Sequence, residues 1–175
     1  MANKTFVGLL VLTKIPDNGQ EKTVAILQRR GKYNADNGDG FKHQSYAGLC
    51  EITCYGQVKK GESIAEALER ELTEEIGAQA TKTLLKHDLK KIHERTEDDG
   101  DKVHIWSTLA NSQIFKEIKL DISSAGIEII TKEDLPKINF VFFSGNKETV
   151  NDLNQISIFE TPKEVIEKAF KLYCK

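Results

Sequence analysis

The chain of 175 residues has three cysteines, Cys50, Cys54 and Cys174, and no CxxC pair. An odd, scattered set of this kind argues against a disulfide framework or a structural zinc site. Cys50 and Cys54 share parity on an expected strand, so they should point to one face as small buried hydrophobes. Charge of one sign is also missing: Lys and Arg number 25 against 27 Asp and Glu, for a formal charge of -2. That balance removes the broad electrostatic case for nucleic-acid binding. Long apolar runs are absent as well. The early run "FVGLLVL", Phe6 to Leu12, is too short to span a bilayer and lacks the small-residue pattern of a secretory cleavage site. It reads as a strand in a cytoplasmic protein. There are no internal repeats and no low-complexity segments.

What remains is the composition of an ordinary globular protein, 39% apolar and 30% charged, with twelve Gly and three Pro. The length is that of one domain over residues 1–175, large enough to bury a core. Residues 5–13 and 23–30 are rich in strand formers and are separated by the turn residues of "KIPDNGQEK", which predicts a hairpin. The polar stretch from Gly31 to Ser45 reads as a long loop. Its "NADNGDG" imitates a calcium loop, but the register that puts Gly40 at the sixth position puts Tyr46 at the twelfth, where a Glu is required. "YAGLCEITCYG" reads as a strand, and "TLLKHDLKKIHER" with "KVHIWSTLA" as a second hairpin on which His93 and His104 face each other. "GIEII" is a short strand, Thr131 caps a helical turn in "TKEDL", and residues 146–155 are weakly helical. Thr161, Pro162 and Glu164 announce a C-terminal helix carrying Val165, Ile166, Ala169, Phe170 and Tyr173 on one face. Strands with one central and one C-terminal helix give an α/β sandwich with a mixed β-sheet.

The most informative segment is "GQVKKGESIAEALERELTEEIGA", Gly56 to Ala78. Ser63 and Glu66 form a capping box that starts a helix near Ile64, and Gly77 stands where a terminating glycine belongs. Ile64, Leu68, Leu72 and Ile76 form the buried stripe. At about 100° per residue from Glu71, that stripe runs from about 20° to about 140°, with Glu75 near 40° and Glu74 about 60° beyond the edge at Glu71. Three carboxylates therefore gather at the border of the core. A solvated acidic face explains Glu66 and Glu69, which point away, but not the like-charge pair Glu71 and Glu75. Arg70, pointing about 100° from Glu71, cannot neutralise all three. A divalent cation answers the excess charge, and an all-oxygen donor set suits Mg²⁺ or Mn²⁺.

The same residues resemble the signature of the Nudix hydrolases. Gly56, Glu62, Arg70, Glu71, Leu72, Glu74, Glu75, Gly77 and Ala78 stand at the family's spacing. The resemblance implies a Nudix-type α/β/α sandwich and a metal-dependent pyrophosphohydrolase cleaving the diphosphate of a nucleoside diphosphate linked to another group. It implies that Glu71, Glu74 and Glu75 bind Mg²⁺ or Mn²⁺, joined by the Gly56 carbonyl, and that Arg70 orients its neighbouring glutamate. Glu62 then steadies the loop–helix junction. Glu71 is the first choice of general base, with Glu117 and Glu128 as candidates outside the signature for base or ligand; Glu74 belongs with Glu71 and Arg70 in the catalytic set. The chain departs from the pattern where Cys54-Tyr55 replaces the usual Pro-Gly before Gly56, and where Ala78 is small for an aliphatic position.

No subfamily mark beyond the signature is present: the proline, the tyrosine, and the NADH-type and coenzyme A-type motifs are all missing. Substrate choice then falls to the Gly31–Ser45 loop, to Arg29 and Arg30 as phosphate ligands, and to Tyr33, Phe41, Tyr46 and Trp106. Two rivals share the architecture. One is a non-catalytic nucleotide-binding or regulatory module. The other is isopentenyl diphosphate isomerase, whose cysteine and histidine would fall on Tyr55 and Gln57. Many relatives form dimers, so a homodimer is an expected partner arrangement.

Overall fold

The computed structural model describes residues 3–36, 40–97, 99–141 and 156–174. Strands β1 (Thr5–Asp17) and β2 (Gln20–Arg30) form a hairpin closed by Asn18 and Gly19. Both turn residues have positive φ, 49° and 81°, the backbone that a two-residue Asn-Gly turn requires. The expected long loop instead contains a small separate hairpin, β3 (Tyr33–Asp36) with β4 (Gly40–His43). There follow β5 (Cys50–Ile52), β6 (Cys54–Gln57), helices α1 (Ile64–Ile76) and α2 (Ala78–Leu84), and the hairpin of β7 (Lys90–Thr96) and β8 (Lys102–Ala110). A short helix α3 (Ile114–Glu117), β9 (Ser124–Thr131), a 3-10 turn (Lys132–Lys137), β10 (Asn139–Val141), β11 (Ser157–Phe159) and helix α4 (Glu160–Tyr173) complete the order.

The main sheet runs β10-β11-β5-β2-β1-β8-β7, with β6 added to β1 and β9 to β2. It is mixed: β1 with β8, β10 with β11 and β11 with β5 are parallel, and the other pairs antiparallel. β1 explains its own apolar run, because both of its faces are covered. Leu10 and Leu12 meet Val165, Ile166, Ala169 and Phe170 of α4 on one side. Val7, Leu9 and Val11 meet Leu68, Leu72 and Ile76 of α1 and Leu84 of α2 on the other. The result is a sheet sandwiched between helical layers, as the strand and helix inventory predicts. Among the described residues no helix is long and apolar enough to cross a membrane.

One irregularity places everything that follows. β1 pairs with β2 from Val11 onward and with β6 from Phe6 to Leu9. β2 leaves β1 after Ile26 and pairs with β5 instead, Leu27 opposite Ile52. The segment 50–57 thus fills a wedge between two diverging strands. Thr53 sits at the apex, buried: its Oγ1 accepts from the Val11 N–H (2.8 Å) and donates to the Ile26 carbonyl (2.6 Å). These are the backbone groups that the divergence would otherwise orphan.

The wedge corrects one expectation. Cys50 and Cys54 are both buried but on opposite faces of the sheet, Cys50 toward α4 and Cys54 toward α1, because the strand breaks at Thr53 and parity no longer holds. Burial pushes the Cys50 thiol up to about 12 and, with Glu75 and Glu71 nearby, the Cys54 thiol up as well, so both behave as small hydrophobes. A second correction concerns the histidines. A register shift between Lys91 and His93 sets His93 opposite Ile105 and His104 opposite Glu94, so the two do not face each other. A third concerns α1: its first turn, Ser63 to Glu66, is exposed, so Ile64 stands in solvent and the packed stripe is Ala67, Leu68, Leu72 and Ile76. Thr83 and Leu84, the start of the expected strand "TLLKHDLKKIHER", instead close helix α2. The weakly helical 146–155 and the side chain of Thr161 lie outside the described residues.

Among the described residues Phe170 is the largest fully buried side chain, packed from α4 onto the sheet. Phe170→Ala should cost about 3–5 kcal/mol. Urea unfolding should register this as a lower midpoint with an unchanged slope.

Candidate active site

The acidic helix face is organised by a single guanidinium. α1 begins as predicted, with Ser63 accepting from the Glu66 N–H and Glu66 accepting from the Ser63 N–H. Two turns on, Arg70 spends its donors in five directions. Nε donates to Glu62 Oε1 (2.7 Å), and Nη2 to Glu62 Oε2 (2.9 Å) and the Gln57 carbonyl (2.9 Å). Nη1 donates to Glu71 Oε1 (2.7 Å) and Glu74 Oε2 (3.1 Å). The fork geometry of arginine allows this and a lysine could not match it. Glu62 also accepts from the Lys59 N–H (2.9 Å), which ties the loop to the helix, and the Arg70 contact holds its carboxyl down at about 2. The carboxylates in turn push Arg70 still further up, Glu62 foremost.

Exposure grades the three signature carboxylates as the helical angles predict. The Glu74 side chain is 51% exposed and that of Glu71 12%, and Glu75 is half-buried and strongly desolvated. Glu71 lies directly over Gly56: a Cβ at that position would fall inside the Glu71 carboxylate. Glycine there is a steric demand of the site rather than of the backbone. Glu75 Oε2 accepts from the Tyr55 N–H (3.2 Å). Desolvation pushes the Glu75 carboxyl up to about 8, with Glu51 and Glu71 adding repulsion and the Tyr55 N–H opposing the rise.

These groups line a cleft of about 340 Å³ between α1 and the wedge, to which Gln28, Arg30, Glu51, Asp121 and Ser123 also contribute. Of the two arginines predicted as phosphate ligands, Arg30 lines it, held by Glu51 (2.5 Å) and the Ser45 carbonyl (3.1 Å). Arg29 is buried elsewhere, its guanidinium taken by Glu128 (2.8 Å) and the Gly48 carbonyl (2.8 Å). That ion pair also occupies Glu128. Glu117, at the end of α3, keeps a buried Oε2 without a hydrogen-bond partner among the described residues, and neither Glu117 nor Glu128 lines the cleft. Trp106 packs on the α1-side core under Lys91, away from the cleft. Gln28, Glu51, Asp121 and Ser123 were not singled out from the sequence. They lie 20 to 52 positions from Glu71 or Glu75 in the chain, and no local signal links such residues.

The donor set fits a hard cation in chemistry: every polar side chain of α1 facing the cleft offers carboxylate oxygen, and the charge there exceeds what Arg70 and Arg30 offset. It is not drawn together in advance. Among the described residues no three His, Cys, Asp or Glu side chains are grouped as a ready-made metal cluster. Arg70 holds Glu71 and Glu74, whereas Glu75 is held by the Tyr55 N–H from the sheet, and this divided anchoring together with mutual repulsion accounts for the spread.

The family model described as NUDIX domain matches residues 9–144. Among curated proteins, none matches the chain. Solved structures do. A mutT/nudix family protein from Listeria innocua superposes with a TM-score of 0.60 at 16% identity, covering 99% of this chain and 98% of its own. The NUDIX domain of Shewanella oneidensis NrtR, complexed with ADP ribose, gives 0.58 at 13% identity, covering 98% and 89%. A C. elegans Ap4A hydrolase gives 0.50 at 16%, covering 74% and 81%. At such identities the likeness is one of fold.

The raised Glu75 carboxyl has a measurable consequence. Between about 4.5 and about 8 the folded chain holds a proton at Glu75 that the unfolded chain has lost, so this group costs stability as pH rises across that window, by up to a few kcal/mol. The metal-free Tm difference, Glu75→Gln minus wild type, should therefore grow from pH 5 to pH 8. His93, whose burial pushes it down, contributes with the opposite sign and cancels in the difference. A flat difference would place Glu75 in water.

Proposed function

Because this chain belongs to the Nudix family, we propose that it is a divalent-cation-dependent pyrophosphohydrolase acting on a nucleoside diphosphate linked to a further group. The observation carrying this reading is that Glu71, Glu74 and Glu75 of α1 line one cleft together with Gly56 and Arg30.

In this reading Glu71, Glu74 and Glu75, with the Gly56 carbonyl, hold Mg²⁺ or Mn²⁺. When bound, the cation supplies neutralisation of the diphosphate and acidifies the attacking water. Glu71, pressed on Gly56 and aimed by Arg70, accepts the proton of that water. Arg70 is a positioning residue: it touches three glutamates and the Gln57 carbonyl, and it is not itself a lining group of the cleft. Arg30 engages a phosphate oxygen, exchanging Glu51 for the substrate. The isomerase rival lacks its chemistry, since Tyr55 stacks on Phe6 with ring centroids 5.7 Å apart and Gln57 carries no imidazole.

A panel of nucleoside triphosphates, nucleotide sugars, ADP-ribose and dinucleotides, each with Mg²⁺ or Mn²⁺, tests the reading. Cation-dependent release of a nucleoside monophosphate or pyrophosphate product is the expected result. Binding without turnover across the panel would favour the regulatory-module reading. Glu74→Gln and Glu75→Gln should each lower turnover about a hundredfold or more while leaving the circular dichroism spectrum unchanged.

A further inference from the structure

The signature residues leave open how the Glu75 carboxylate, buried and repelled by Glu51 and Glu71, is aimed. The answer lies on β2, outside the signature. Gln28 is buried, lines the same cleft, and presents its amide to three neighbours. Two of them, Glu75 Oε2 at 3.1 Å and the Thr53 carbonyl at 3.2 Å, call for a donor, and the third, Ser124 Oγ, can supply a proton. The amide nitrogen therefore faces Glu75 and Thr53, and the amide oxygen accepts from Ser124. Three strands hold one side chain: β2 carries it, the wedge accepts from it at Thr53, and β9 locks its far end.

We infer that Gln28 is the positioning residue for Glu75, holding one carboxylate oxygen so that the other is offered to a cation in the cleft. The inference rests on the hydrolase reading above. The Tyr55 N–H and the Gln28 amide both fall on Oε2. One donor alone leaves the carboxylate a rotation about that bond; two donors from different strands remove it. Oε1 is then the oxygen left for ligand binding. Partners that orient a ligating group in this way characteristically change metal affinity or activity by about 10- to 100-fold when removed.

The test uses the full chain as wild type, Gln28→Leu, Gln28→Met and Ser124→Ala. Mn²⁺ binding is followed by the electron paramagnetic resonance signal of the free ion, the Tm is measured with and without Mn²⁺, and kcat and KM are measured on the best diphosphate of the panel. Gln28→Leu and Gln28→Met should weaken Mn²⁺ binding about tenfold or more, shrink the Mn²⁺-induced rise in Tm, and lower kcat at saturating Mn²⁺ with KM changed less than about twofold. Ser124→Ala, which frees only the far end of the amide, should move Mn²⁺ affinity in the same direction by less. A lower metal-free Tm with unchanged Mn²⁺ affinity would make Gln28 a packing residue and overturn the inference. Should both Gln28 variants fail to fold, unchanged Mn²⁺ affinity in Ser124→Ala overturns it. Wild-type protein that binds no Mn²⁺ and cleaves no member of the panel overturns the hydrolase reading and this inference together. Wild type active beside indifferent variants overturns the Gln28 role alone.

Discussion

The divergence of β1 from β2, plugged by Thr53, is the constraint on which the site depends. Two paired strands cannot separate inside a sheet without exposing backbone donors and acceptors, and a buried orphan costs on the order of 1–3 kcal/mol. Thr53 answers one N–H and one carbonyl with a single hydroxyl. Its own backbone carbonyl then becomes available to the Gln28 amide. The same break turns the following residues, so that the Tyr55 N–H reaches Glu75 and Gly56 comes under Glu71. The opposite facing of Cys50 and Cys54 is the visible trace of that turn.

Against this scaffold α1 brings more negative charge than one arginine can balance. Arg70 relieves Glu62, Glu71 and Glu74 and does not touch Glu75, which is left to neutral donors from the sheet. The depressed Glu62 carboxyl and the raised Glu75 carboxyl are two ends of one arrangement: the guanidinium stands at the solvent side of the helix, and its influence is spent before it reaches the interior. Two nearby carboxyls held so differently mark a site arranged for chemistry more often than a surface arranged for solubility.

What was legible in the sequence is what the helix repeat and local capping control. The start of α1, the inward turn of Glu75 and the outward turn of Glu74 follow from about 100° per residue, and the structure agrees. The reach of Arg70 was understated, because angular position describes Cβ and a guanidinium extends well beyond it. α2 has no sequence signal of its own, because its end is absorbed into the strand reading of "TLLKHDLKKIHER", and only packing of Ala80, Thr81 and Leu84 against the core favours the helix. The wedge had no sequence signal: "CEITCYG" alternates as an unbroken strand would, and the break at Thr53 exists because β1 and β2 need different partners. The β-side wall of the cleft was illegible for the same reason. Gln28, Glu51 and Ser124 meet Glu75 or one another only through strand pairing at long sequence separation.

The charges on the cleft also bear on what it can accept. Glu51, Glu71, Glu74, Glu75 and Asp121 line it against Arg30, which is itself held by Glu51. A bare diphosphate approaching that wall meets repulsion from nearly every side, so a site of this composition would select an anion only in company with cations. Arg30 cannot substitute for them, because each phosphate contact it makes must compete with Glu51 at 2.5 Å. In the proposed hydrolase reading, cation and polyanion would be mutually dependent ligands, each raising the affinity of the other by the same factor. The sheet's part in this is to keep the acidic wall from relaxing: Gly56 below Glu71 holds that carboxylate at the core's edge, and Tyr55 with Gln28 holds the Glu75 carboxyl, which a cation would have to displace a proton to engage.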